Sequence, residues 1–218
     1  MQNAQATLLI VDDEPSVRES LSYVLVEIGY RVRSAEDGFS ALHEIRNEAP
    51  ELLLSDLNMP NMSGFELLSI VRRRFPTIQT IAMSGAFSGD EVPSGVAADG
   101  FYQKGSSIAA LLRIMTSLPH TDRLAPRLSS PEVPVWIHRN AYDPLPDGYI
   151  TITCPECMRS FPQAFGADSL QHKTDCVYCK NPIYYAIVQP EGQMPLRGFQ
   201  RETAASIPFL QGSSNLNY

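Results

Sequence analysis

The first 153 residues contain no cysteine, and the whole 218-residue chain has a single tryptophan. A disulfide framework of the kind that holds small secreted domains together is therefore excluded for most of the chain. No apolar run approaches the roughly 18 residues of a membrane span. The N-terminus lacks a basic segment followed by an apolar one, so no secretory signal is expected. Positive charge is scarce: 17 Lys and Arg stand against 24 Asp and Glu, a net charge of −7. That balance argues against a broad nucleic-acid surface. There is no Walker loop, nucleophile elbow, kinase signature or internal repeat.

What is present divides the chain. Hydrophobic residues make up 44% and charged residues 19%, the balance of a folded protein rather than a disordered one. Residues 1–118 carry nine Lys/Arg and fifteen Asp/Glu; residues 119–218 carry eight and nine, so the acidity lies mostly in the first half. Six prolines fall in residues 119–148, the mark of a stiff connection. Trp136 sits inside that stretch between Val135 and Ile137, which suggests docking or an edge strand rather than a solvated linker. Residues 149–188 hold all four cysteines between β-rich runs, and 189–218 read as a flexible tail.

Residues 1–118 alternate strand and helix patterns. The apolar run Thr7 to Val11 and the segments Arg31 to Ala35, Leu52 to Leu54, Thr80 to Met83 and Phe101 to Gln103 predict five strands. Helices are predicted from Pro15, over Ser40 to Asn47, over Phe65 to Phe75, weakly over Asp90 to Ala98, and around Ile108 to Met115. Such alternation implies an α/β, doubly wound, five-stranded parallel sheet, whose ligands bind beyond the carboxyl ends of the strands. The residues found there are Asp12, Asp13 and Glu14 after the first strand, Asp56 after the third, Ser84 after the fourth and Lys104 after the fifth. Taken singly, an acidic residue after a strand is as well explained as a helix cap. Three carboxylates converging beside one lysine make a hard-oxygen site suited to Mg²⁺.

The motifs Ile-Val-Asp12-Asp13-Glu14-Pro15, Ser-Asp56-Leu-Asn-Met59-Pro60-Asn-Met-Ser-Gly64, Met-Ser84-Gly85-Ala86 and Phe101-Tyr-Gln-Lys104 together resemble the receiver domain of two-component response regulators, a flavodoxin-like fold. The resemblance implies that Asp56 is the phosphoacceptor, supplied by a sensor histidine kinase or phosphotransfer protein. It implies that Asp13, Asp56 and the backbone carbonyl of Asn58 ligate Mg²⁺, with Asp12 acting through water. Lys104 would pair with the phosphoryl oxygens, Ser84 would move toward them, and Phe101 would swing inward as the switch. Gly105 stands where the family usually has proline.

Cys154-Pro-Glu-Cys157, eighteen residues, then Cys176-Val-Tyr-Cys179 has the spacing of a four-thiolate Zn²⁺ site, and the segment resembles a zinc ribbon. His172 reads as a surface residue, and Arg72, Arg73 and Arg74 as a solvated helix cap. The leading expectation is a cytoplasmic response regulator, not a turnover enzyme, whose output is contact with an unidentified downstream protein; a phosphorylation-dependent homodimer stays open. The alternatives are a regulator whose ribbon binds DNA, disfavoured by charge, and a phosphate sink or shuttle with an inert tail.

Overall fold

The computed structural model describes residues 6–86, 96–118, 134–138, 149–164 and 171–188. The first part is a five-stranded parallel sheet of order β2-β1-β3-β4-β5, built from β1 (Thr7–Val11), β2 (Arg31–Ala35), β3 (Leu52–Asp56), β4 (Gln79–Ser84) and β5 (Gly100–Gln103). Helices α1 (Pro15–Glu27), α2 (Gly38–Asn47), α3 (Gly64–Arg74) and α4 (Ile108–Ser117) connect or follow the strands. The α/β reading of the sequence is met. Of the weak helix expected over Asp90 to Ala98, residues 90–95 lie outside the described residues, and 96–98 are not helical.

Alternation along each strand feeds two apolar layers. Leu9, Val11, Leu53, Ala82 and Phe101 point to the side that also holds α2 and α3 side chains. Leu8, Ile10, Leu54, Ile81 and Tyr102 join Leu25, Leu111 and Met115 on the other side. Local signals set the helix starts. Asp37 accepts from the Ser40 amide at 2.7 Å, and Ser63 and Ser107 cap α3 and α4 in the same way. Pro15 opens α1, where its missing N–H costs no hydrogen bond.

The cysteine-bearing part is β-rich. Strands β7 (Tyr149–Thr153) and β8 (Ser160–Ala164) form one antiparallel hairpin. Strands β9 (Gln171–Asp175) and β10 (Pro182–Val188) form another. A further strand, β6 (Val135–His138), lies within the proline-rich stretch and pairs in parallel with β10 as an edge. Ile150, Ile152, Phe161, Ile183 and Tyr185 make a small core with Val135 and Ile137. So few residues provide little hydrophobic stabilisation, the usual setting for a structural metal.

The two parts touch through α3. The Trp136 amide donates to Ser69 Oγ at 3.2 Å, and Trp136 and Val188 pack on the apolar layer that contains Phe101. Arg73 and Arg74 both pair with Glu156, at 3.1 and 3.3 Å, and Arg72 pairs with Asp99 at 3.0 Å. The reading of the three arginines as a solvated cap is therefore corrected: each has a carboxylate partner, two of them across the domain boundary. No described helix is long and apolar enough to cross a membrane.

Candidate functional site

The carboxyl ends of β1, β3, β4 and β5 bring the predicted residues to one edge of the sheet. Asp12 and Asp56 are buried and Asp13 is exposed, with one carboxylate oxygen of each lying within 4.8 Å of the others. Lys104 Nζ bridges the buried pair, 2.7 Å from Asp12 Oδ2 and 3.0 Å from Asp56 Oδ2. Asp12 is held in turn: its Oδ1 accepts from the Glu14 amide at 3.0 Å, and its carbonyl accepts from Arg18 at 2.6 Å.

Burial pushes the Asp56 carboxyl from its ordinary 3.8 up to about 6, against the pull of the Lys104 ammonium and with the Asp12 charge adding to the rise. The Asn58 amide donates to the same carboxylate and favours its ionised form. Burial also works against the Lys104 ammonium, but hydrogen bonds and charge from Asp12 and Asp56 hold its pKa above the usual value. Three carboxylates facing one ammonium leave an excess of negative charge on hard oxygen donors. That donor set fits Mg²⁺, with the exposed Asp13 side open to water and phosphate oxygen.

Ser84 is fully buried at the end of β4, where its Oγ accepts from the Ala86 amide at 3.1 Å. Its carbonyl accepts from the Lys104 amide at 2.9 Å, which ties the ends of β4 and β5 together. Phe101 lies inward in the core. Gly105 takes φ +84°, the left-handed region that glycine favours, and no cis peptide occurs among the described residues. The turn after Lys104 is closed by Ser106 N–H to the Gln103 carbonyl and by the Tyr102 hydroxyl to the Ser106 carbonyl.

The second site lies in the ribbon. The sulfurs of Cys154, Cys157, Cys176 and Cys179 lie within 4.8 Å of one another, with 3.7 Å from Cys154 to Cys179 and 3.6 Å from Cys157 to Cys176. All four are free thiols. A tetrahedron with Zn–S bonds of about 2.3 Å has edges of ~3.8 Å, so the spacing fits a single zinc ion. Two matching knuckles present the sulfurs. In each, the residue after the second cysteine, Met158 or Lys180, has positive φ and donates its amide to the carbonyl of the first cysteine. Backbone amides of Glu156 and Cys157 aim at the Cys154 sulfur, and those of Tyr178 and Cys179 at Cys176. His172 is no part of this cluster; it stacks on Tyr185 with ring centroids 5.0 Å apart.

One further polar contact was not anticipated from the sequence. Glu66, in the first turn of α3, is 3% exposed, and its Oε1 accepts from the Thr153 amide at 2.7 Å. Thr153 immediately precedes Cys154. A carboxylate within the apolar run Gly-Phe-Glu-Leu-Leu was the available signal, since a buried charge needs a partner.

Similarity to known proteins lies in the first part of the chain. The response regulator receiver domain family matches residues 8–115. An uncharacterised 14.6 kDa protein of Leptolyngbya boryana is 37% identical over 100 residues, covering 45% of this chain and 76% of that protein. The sensor histidine kinase RcsC of Salmonella typhimurium is 35% identical over 82 residues, which cover 38% of this chain and 9% of the kinase, so the match spans a small part of that much longer protein. Among solved structures, the response regulator TrrA of Thermotoga maritima in complex with Mg²⁺–BeF is 30% identical, with 52% of this chain and 99% of that one covered and a TM-score of 0.49. Through residues 8–115, this chain belongs to the response regulator receiver domain family.

Proposed function

We propose that the chain is a phosphoacceptor response regulator of a two-component phosphorelay, with Asp56 as the residue that takes the phosphoryl group. The observation that carries this reading is the Lys104 ammonium bridging Asp12 and Asp56 at 2.7 and 3.0 Å beside Asp13. The carboxylates of Asp12, Asp13 and Asp56, with the Asn58 carbonyl, would hold Mg²⁺. Bound there, the ion supplies positive charge that offsets repulsion between a carboxylate and an incoming phosphoryl group.

The chain's own residues do the rest. An Asp56 oxygen forms a bond to phosphorus as the P–N bond to the donor histidine breaks, and that histidine takes a proton from water and leaves as neutral imidazole. Lys104 pairs with the phosphoryl oxygens from the position it already holds beside Asp56. Ser84 donates its hydroxyl to them, and Phe101 packs according to where Ser84 stands. The added charge at one point biases the packing of the domain. The phosphoryl donor is a sensor histidine kinase or phosphotransfer protein, and the output is a protein contact made by the receiver face, the ribbon or both. The ribbon is held by Zn²⁺ on its four cysteines. The chain works in the cytoplasm and catalyses no turnover beyond its own slow dephosphorylation.

The test is incubation of the full chain with Mg²⁺ and a small acyl phosphate, followed by intact-mass analysis. One phosphoryl group should appear on the wild type and none on Asp56→Asn. Uptake by that variant would remove Asp56 from the acceptor role.

A further inference from the structure

The contact between Glu66 and Thr153 stands at the junction of two chemically distinct sites. On the receiver side, α3 begins directly on the acceptor strand. The Gly64 amide donates to the Leu57 carbonyl at 3.0 Å, and a Cβ placed on Gly64 would lie 1.9 Å from the Asp56 carbonyl oxygen. The backbone of Asp56 and the first residue of the helix are therefore in contact with no intervening side chain. A close-packed interior passes a shift of one on to the other rather than absorbing it. Glu66 follows two positions later, on the same turn.

On the ribbon side, the Thr153 amide that Glu66 binds is covalently next to Cys154. The first knuckle is held to α3 a second time, through Glu156, which lies between Cys154 and Cys157 and pairs with Arg73 and Arg74. From Asp56 to Cys154 the route is short: backbone contact, half a helical turn, one carboxylate, one amide.

We propose that Glu66 is a positioning residue that couples the four-cysteine metal centre to the phosphoacceptor pocket, so that filling one site strengthens the other. This rests on the reading of Asp56 given above. A group bound at Asp56 orders the segment that leads into α3. Docking the first knuckle on an already ordered helix then costs less conformational entropy, which gives positive cooperativity. Linkage makes the effect reciprocal: a zinc-loaded ribbon strengthens ligand binding at Asp56 by the same factor.

The experiment uses the full-length zinc-loaded chain. Zinc release to a chromogenic pyridylazo chelator is timed with and without Mg²⁺ and beryllofluoride, and deuterium uptake is followed in parallel. Changed protection in residues 96–104 reports that the receiver has bound the phosphoryl mimic. With that change present, zinc release should slow by about fivefold, at the lower end of common coupling strengths. Glu66→Ala should abolish the slowing. Glu66→Gln, which keeps an oxygen to accept the Thr153 amide, should retain it. Because Glu66→Ala removes a buried partner and can destabilise the chain, Glu156→Ala serves as a second variant; it loosens the same knuckle from a more exposed position and should reduce the slowing. Unchanged or faster zinc release in wild type, with receiver protection altered, overturns the coupling and leaves the proposed function standing. Unaltered receiver protection removes both.

Discussion

Arg73 and Glu156 form an ion pair of 3.1 Å between residues 83 positions apart, one on a receiver helix and the other inside a cysteine knuckle. Their side chains are 14% and 30% exposed, so the pair is partly shielded from water and salt. A double-mutant cycle of Arg73→Ala and Glu156→Ala, read by chemical denaturation, should give a coupling energy of about 1 kcal/mol, above the typical exposed pair. Additive single effects would show that the pair contributes no interaction energy.

Gly64 allows no side chain. With the Asp56 carbonyl oxygen only 1.9 Å from where a Cβ would stand, Gly64→Ala must push α3 away from β3. The expected loss is about 3 kcal/mol, at the upper end for overpacking. Gly29 is the control: nothing lies within 4 Å of its Cβ position, and only its φ of +106° resists substitution. Gly29→Ala should cost about 1 kcal/mol. Equal losses in the two variants, measured by urea denaturation, would contradict the close approach at Gly64.

Zinc removal should unfold one part of the chain and spare the other. The ribbon core is small, whereas the receiver has an extended buried layer on each face of its sheet. Trp136, the only tryptophan, packs where the two parts meet, so its emission reports docking. Chelation should shift that emission to longer wavelength, while Asp56 continues to accept phosphate from a small acyl phosphate at a reduced rate. Cys154→Ser should reproduce the shift without a chelator. Emission unmoved by complete metal loss would mean that the ribbon holds its place without metal.

Stability should depend on pH through Asp56. Its carboxyl is raised to about 6 in the folded chain against 3.8 ordinarily, so the folded state binds the proton more tightly than the unfolded one. The group therefore imposes no penalty below pH 4, and its destabilisation grows as pH rises to about 6 and is complete above that. The full effect is about 3 kcal/mol. In Mg²⁺-free buffer, the stability of Asp56→Asn relative to wild type should climb by that order between pH 4 and pH 7.5. A difference independent of pH would show that the buried carboxyl titrates at its ordinary value.

The sequence disclosed the receiver almost completely because its chemistry is local. Asp12, Asp13, Asp56, Ser84 and Lys104 each stand at the end of a strand or just beyond it, and in a parallel sheet that position alone brings them to one edge. The cysteine cluster was legible for the same reason, since each pair is fixed by a turn of four residues. Trp136 signalled a docked or edge segment, but the residue pairs that join the two parts were not legible. Glu66, Ser69 and Arg73 meet Thr153, Trp136 and Glu156 across separations of 67 to 87 positions, and no periodicity encodes a pairing of that range. Arg72 to Arg74 looked solvated because a helix C-terminus favours cations wherever it points. Their actual partners come from tertiary packing.

Strand β6 sets where this protein can be divided. Val135–His138 lies before the cysteine hairpins in sequence but forms the outer strand of their sheet, hydrogen-bonded to Tyr185–Val188. A fragment starting at residue 149 would leave that edge of β10 bare, with its backbone donors and acceptors open to pairing with other chains. Grafting this module onto another receiver, or exchanging it for a different one, therefore needs a junction within residues 119–133, and a chimera joined nearer the cysteines should aggregate.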